Sequence, residues 1–103
     1  MINGINSREM ILEILLEIEE GEHSHVAIRN ALSKYQFLPK QDRAFITRVC
    51  EGTLEYRIQI DYIINSFSKV TVDKMKPAIR EILRSAVYQL EIYGQRAGQR
   101  SVQ

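Results

Sequence analysis

Two arginines, Arg80 and Arg84, are the residues best placed to do chemistry here, one helical turn apart in the segment K-P-A-I-R-E-I-L-R-S-A-V-Y-Q-L-E-I-Y from Lys76 to Tyr93. Like charges at that spacing destabilise an isolated helix by roughly a few tenths of a kcal/mol. Something anionic should therefore lie opposite them, either a carboxylate from a neighbouring helix or a phosphate from a nucleic acid. Other reactive residue types offer less. His23 and His25 flank Ser24 at an exposed helix start and read as solvated surface. Cys50 borders an apolar helix side and reads as a small buried hydrophobe rather than a nucleophile. The glutamates of the first helix surround an apolar stripe and read as a solvated face, with no histidine or acidic partner at catalytic spacing. No glycine-rich loop follows a strand, and no paired Cys or His spacing suggests zinc, so no catalytic residue, metal ligand or cofactor contact is expected in this chain.

The elements that must position the arginines are helices. Pro77 opens the helix that carries them, in the first turn where a missing N–H breaks no internal bond. Its apolar residues Ile79, Leu83, Ala86, Leu90 and Tyr93 gather on one face, bordered by Ile82 and Val87, and that face is expected to be buried. Upstream, Asn6 with Glu9 resembles a capping box, and Ile11, Ile14, Leu15 and Ile18 mark a helix over about 7–20 that Gly21 ends. Ser24 is expected to cap a second helix with Ile28, Ala31, Leu32 and Tyr35 on one face. A third begins near Gln41 or Asp42, after Pro39, and is expected to bury Phe45, Val49 and Tyr56. Gly52 on that face predicts a close approach by another helix backbone. Ile60, Ile63, Ile64 and Phe67 form a fourth stripe after a kink near Arg57, and Ser68 to Lys76 is a polar connector holding Val70 and Val72.

Composition sets the outer limits. A chain of 103 residues, 45% hydrophobic and 26% charged, is one small globular domain. No apolar run approaches the ~18 residues of a membrane span, and one cysteine cannot form an internal disulfide, which suits a reducing cytoplasm. The net charge of +1 divides unevenly: residues 1–38 carry −3 and residues 39–93 carry +2. The basic character is mild and lies in the second half, weaker than a stand-alone nucleic-acid binder would show.

Three strings carry a family resemblance: D-R-A-F-I-T-R-V-C-E-G-T-L-E-Y-R from Asp42, I-D-Y-I-I-N from Ile60, and P-A-I-R-E-I-L-R-S-A-V-Y-Q-L from Pro77. Together they resemble the N-terminal NusB-like domain of the bacterial small-subunit rRNA cytosine-C5 methyltransferases, the Sun/Fmu (RsmB) family. The resemblance covers roughly residues 7–93. It implies an all-α, NusB-like helical bundle of about five helices here, and an RNA partner, small-subunit rRNA. For the complete protein it implies a separate catalytic domain that uses S-adenosylmethionine. The related NusB-type antitermination factors supply the alternative, a protein-interaction module, although Gly52-Thr53-Leu54 and Tyr88-Gln89-Leu90 favour the methyltransferase version.

From Gly94 the chain departs from the family, which continues with further helices. The tail G-Q-R-A-G-Q-R-S-V-Q, read one base later, can spell Asp, Asn or Ser, then Val-Pro-Asp-Ser-Ala-Ala. The expectation is a NusB-like domain over 1–93 that lacks its last helices, and a frameshifted tail over 94–103 in which Arg96 and Arg100 are accidental. Apolar surface left on helices three and five would then favour a homodimer. Candidate RNA contacts are Arg43, Arg57, Lys74, Lys76, Arg80 and Arg84. The competing reading pairs Arg43, Arg80 and Arg84 internally with Asp42, Asp61 or Glu91.

Overall fold

In the computed structural model of the chain, residues 6–94 are described, and all their regular structure is helical. The tail reading, with Arg96 and Arg100, lies outside the described residues. Helix α1 spans Ser7–Glu19, with the Asn6 side chain accepting the Glu9 N–H at 2.8 Å as the capping pattern requires. Its other end closes in a left-handed turn at Gly21 (φ 116°), where Glu22 N–H reaches the Glu17 carbonyl and Gly21 N–H reaches that of Ile18. Helix α2 is Ser24–Lys34. Its cap is His23, not Ser24 as expected, because the Val26 and Ala27 amides turn back to the His23 carbonyl and draw Ser24 into the first turn.

Helix α3 runs Lys40–Glu55 and α4 runs Arg57–Phe67, with Tyr56 (φ −102°, ψ 21°) breaking the path between them beside the expected kink. A single 3₁₀ turn, Val72–Lys74, interrupts the connector, anchored where the Asn65 side chain accepts the Val72 N–H at 3.0 Å. Helix α5, Pro77–Val87, passes directly into a π-helical segment, Tyr88–Tyr93. Helix α1 is the hub, packed against α2, α3 and α5, while α4 leans on α5. Met10, Ile11, Ile14 and Leu15 of α1 meet Ile46, Val49 and Cys50 of α3 and Ile60 and Ile64 of α4 in one core. Each fully buried side chain of that size contributes about 1.5–3 kcal/mol.

Two faces differ from expectation. On α3 the buried row is Ile46, Val49, Cys50, Gly52 and Thr53, with Phe45 and Tyr56 only half-buried. That leaves α3 covered, and the exposed apolar side chains fall instead on α4 (Ile58, Tyr62, Phe67), on α5 and the π-helical segment, and in connectors at Phe37 and Val70. Helix α5 is turned round its axis: Ile79 is 51% exposed, Ile82 47% and Leu90 74%, while Glu81, Arg84, Val87 and Tyr88 face inward. The charged row goes in because its partners sit on α1 and α4. The π-helical turn then brings Tyr88 and Tyr93 into register five residues apart, rings stacked at 6.0 Å, and leaves Leu90 outside.

Gly52 marks a close approach, but by a side chain rather than a backbone. A Cβ there would overlap the ring tip of Tyr88, which also stacks on Tyr56 at 6.2 Å. Overpacking of this kind costs about 1–3 kcal/mol, whereas alanine is favoured over glycine inside a helix by about 1 kcal/mol. Gly52→Ala should therefore destabilise the wild-type chain by about 1–2 kcal/mol in urea unfolding, yet be neutral or stabilising in a Tyr88→Leu background. An equal cost in both backgrounds would mean that the ring is not the obstacle.

Candidate functional site

Arg80 and Arg84 project from α5 into a cluster that joins four elements. Arg80 forks onto Glu19, at the end of α1, through Nε (2.8 Å) and Nη2 (2.9 Å). Its Nη1 donates to the carbonyls of Val72 (2.8 Å) and Met75 (2.9 Å), tying down both ends of the 3₁₀ turn. Arg84 forks onto Asp61 of α4, with Nε and Nη2 each at 2.8 Å, and gives Nη1 to Glu81 at 2.8 Å. The Arg84 residue is 9% exposed and Glu81 3%. Two forked arginine–carboxylate pairs therefore hold α5 between α1 and α4, and the geometry is the strong, planar kind.

Protonation completes the cluster. The Arg80 guanidinium bonded to Glu19 holds that carboxyl down to about 2, against the opposing effect of burial. Burial pushes Glu81 up to about 7, helped by its hydrogen bond to Glu19, a bond in which a protonated Glu81 must be the donor. With Glu81 neutral, Arg80 and Arg84 balance Glu19 and Asp61 charge for charge. Burial opposes the charge on Arg84, but Asp61 and Glu81 outweigh it and raise its pKa.

Of the six cations singled out as RNA contacts, three are committed inside the fold. Arg80 and Arg84 take carboxylates, as the competing reading anticipated for Arg84 with Asp61; Arg80 takes Glu19, which the solvated-face reading of α1 had set aside. Arg43 donates Nη1 to the carbonyls of Leu32 (3.0 Å) and Tyr35 (3.2 Å), closing the end of α2 rather than pairing with Asp42. Arg57, Lys74 and Lys76 are exposed, and their side chains make no hydrogen bond or ion pair among the described residues. Arg57 opens α4 beside Glu19, and the two lysines sit in and after the 3₁₀ turn that Arg80 secures. Elsewhere, His23 and His25 are exposed, and Cys50 is fully buried with its thiol pushed up to about 12 by burial, too high for a nucleophile at neutral pH. No group of three or more potential metal-ligating side chains occurs among the described residues.

Glu19 and Glu81 were missed as site residues, although one signal was available. A carboxylate in the last turn of a helix opposes the helix dipole, so Glu19 at the end of α1 implies a cation opposite it.

A bundle of helices around α1, with no strand among the described residues, defines the all-α class that the resemblance implied. Residues 5–97 match the NusB family, and the chain belongs to that family. It is also similar to the "Probable ribosomal RNA small subunit methyltransferase B" of Bacillus subtilis (strain 168), 30% identical over 84 residues. That similarity covers 82% of this chain but 19% of the relative, so the chain spans about a fifth of that protein's length. No solved structure matches the chain at a significant level.

The carboxyl pair sets a pH dependence. Glu81 titrates higher in the fold (about 7) than its ordinary 4.5, so its contribution is full below about 4.5 and is lost as pH rises through about 7. Glu19 titrates lower, and its contribution is full above about 4.5 and lost as pH falls towards about 2. Stability should thus drop between pH 5 and 8 by on the order of 2–3 kcal/mol. Glu81→Gln keeps a donor towards Glu19 and an acceptor for Arg84, and should flatten the profile over that range. A wild-type profile that is already flat in urea unfolding would contradict the shared proton.

Proposed function

We propose that this chain is the RNA-recognition module of a small-subunit rRNA methyltransferase and acts in the cytoplasm, with catalysis and S-adenosylmethionine binding supplied by a separate domain of a longer parent protein. One observation carries the reading: similarity over 84 residues to a protein named as a small-subunit rRNA methyltransferase, within a family match that runs nearly the whole chain. No described helix is long and apolar enough to cross a membrane.

The cations divide the work. Arg57, Lys74 and Lys76 keep exposed charges and are the phosphate contacts in this reading. Arg43, Arg80 and Arg84 act as positioning residues, since their donors are already taken; Arg80 in particular fixes the turn that presents both lysines. Three phosphate contacts on single-stranded RNA give a log–log salt slope of about −2, a weak dependence that suits a chain of net charge +1.

The exposed apolar residues of α4 and α5 favour a second reading, a protein-covered surface whose simplest form is a homodimer. One set of measurements separates the two. A small-subunit rRNA fragment should bind more tightly than an unrelated RNA of equal length, with a salt slope near −2, and Lys74→Glu with Lys76→Glu should weaken it about tenfold without moving the urea midpoint. Binding that ignores both salt and the lysines, from a species sedimenting at twice 12.0 kDa, would instead place function on the apolar faces.

A further inference from the structure

A groove of about 430 Å³, open to solvent, runs from Leu32 near the end of α2 along the first three turns of α3. The helical period makes it. Lys40, Arg43, Thr47, Arg48 and Glu51 recur at three- and four-residue intervals, so they share one side of α3 next to the side on which Ile46, Val49, Cys50 and Thr53 enter the core. Three cations there face one carboxylate, in a chain whose net charge is only +1. Arg43 is half-buried and fixed by its two carbonyls, with no carboxylate at ion-pair distance. Lys40 and Arg48 are exposed on either side of it, and their side chains make no hydrogen bond or ion pair among the described residues.

The acids nearby do not cancel this charge. Glu51 stands three residues from Arg48 without pairing with it, and lies ~16 Å along the helix axis from Lys40, beyond the ~8 Å screening length of physiological salt. Asp42 does not line the groove. Unpaired lysine and arginine side chains on one face hold a nucleic-acid backbone through its phosphates, whereas an apolar partner would leave their charges desolvated and unmatched. We propose that this groove is a second phosphate-binding surface for the RNA, on which Lys40 and Arg48 contact the backbone and Arg43 supplies a fixed charge behind them. The inference rests on the RNA-binding reading above. It adds a separate patch, because the exposed Glu51 and Glu55 stand between Arg48 and Arg57 along the chain.

The test uses the whole chain and a fluorescently labelled small-subunit rRNA fragment of about twenty nucleotides, with anisotropy read from about 50 to 200 mM salt. On a strand that reaches both patches, five phosphate contacts give a log–log slope of about −3.5; the slope near −2 above belongs to the Arg57, Lys74 and Lys76 patch alone. Lys40→Gln with Arg48→Gln should return the slope to about −2 and weaken binding about tenfold, with the urea midpoint unmoved. Lys40→Arg with Arg48→Lys keeps both charges and should bind as the wild type does. An unchanged slope and affinity in the glutamine variant would overturn the inference, even where Lys74→Glu with Lys76→Glu still weakens the complex and the RNA reading stands. Equal losses in the charge-keeping and glutamine variants would overturn it too, because shape rather than charge would then matter. Failure of the wild-type chain to bind the fragment at all would overturn the RNA reading and this inference with it.

Discussion

A buried arginine keeps its charge, so α5 must lie where carboxylates can reach Arg84, which is 9% exposed. That constraint organises the rest of the bundle. Asp61 fixes α4 on one side of α5, Glu19 brings the end of α1 to the other through Arg80, and burial pushes the Glu81 carboxyl up to about 7, towards the neutral form. Buried ion pairs are weak evidence for stability, because desolvation offsets much of the attraction. Their value here is in orientation: an apolar α5 could settle at several rotations, whereas two forked pairs admit one. The consequence is visible outside, where Ile79, Ile82 and Leu90 face solvent because the charged row occupies the inside.

Much of this was legible in the sequence, and the places where it was not share one cause. The ends of α1 and the starts of α3 and α5 followed from Asn6, Gly21, Pro39 and Pro77, whose effects are local. The anion opposite Arg80 and Arg84 followed from their spacing, and Asp61 was among the partners weighed. The buried face of α5 was misjudged because periodicity sees only that apolar residues share a side, and it ranks a charged row as outward by default. Two carboxylates contributed by distant helices reversed that ranking. Tyr88 above Gly52 was hidden for the same reason, since it lies one turn beyond Arg84 on the face that the charged row carries inward.

For function, the cluster sorts the cations of the second half into those that build and those that remain available. Arg43, Arg80 and Arg84 close helix ends and cross-link helices, whereas Arg57, Lys74 and Lys76 stay exposed.

The central claim is that Arg84 is a structural cross-link, and urea unfolding of Arg84→Met alone and combined with Asp61→Leu tests it most directly. Removing one partner strands buried charge and should cost about 3–5 kcal/mol, while removing both should recover a substantial part of that loss. An Arg84→Met chain that unfolds at the wild-type midpoint but no longer binds small-subunit rRNA would contradict the account, because the arginine would then be a free contact rather than the pin that sets α5.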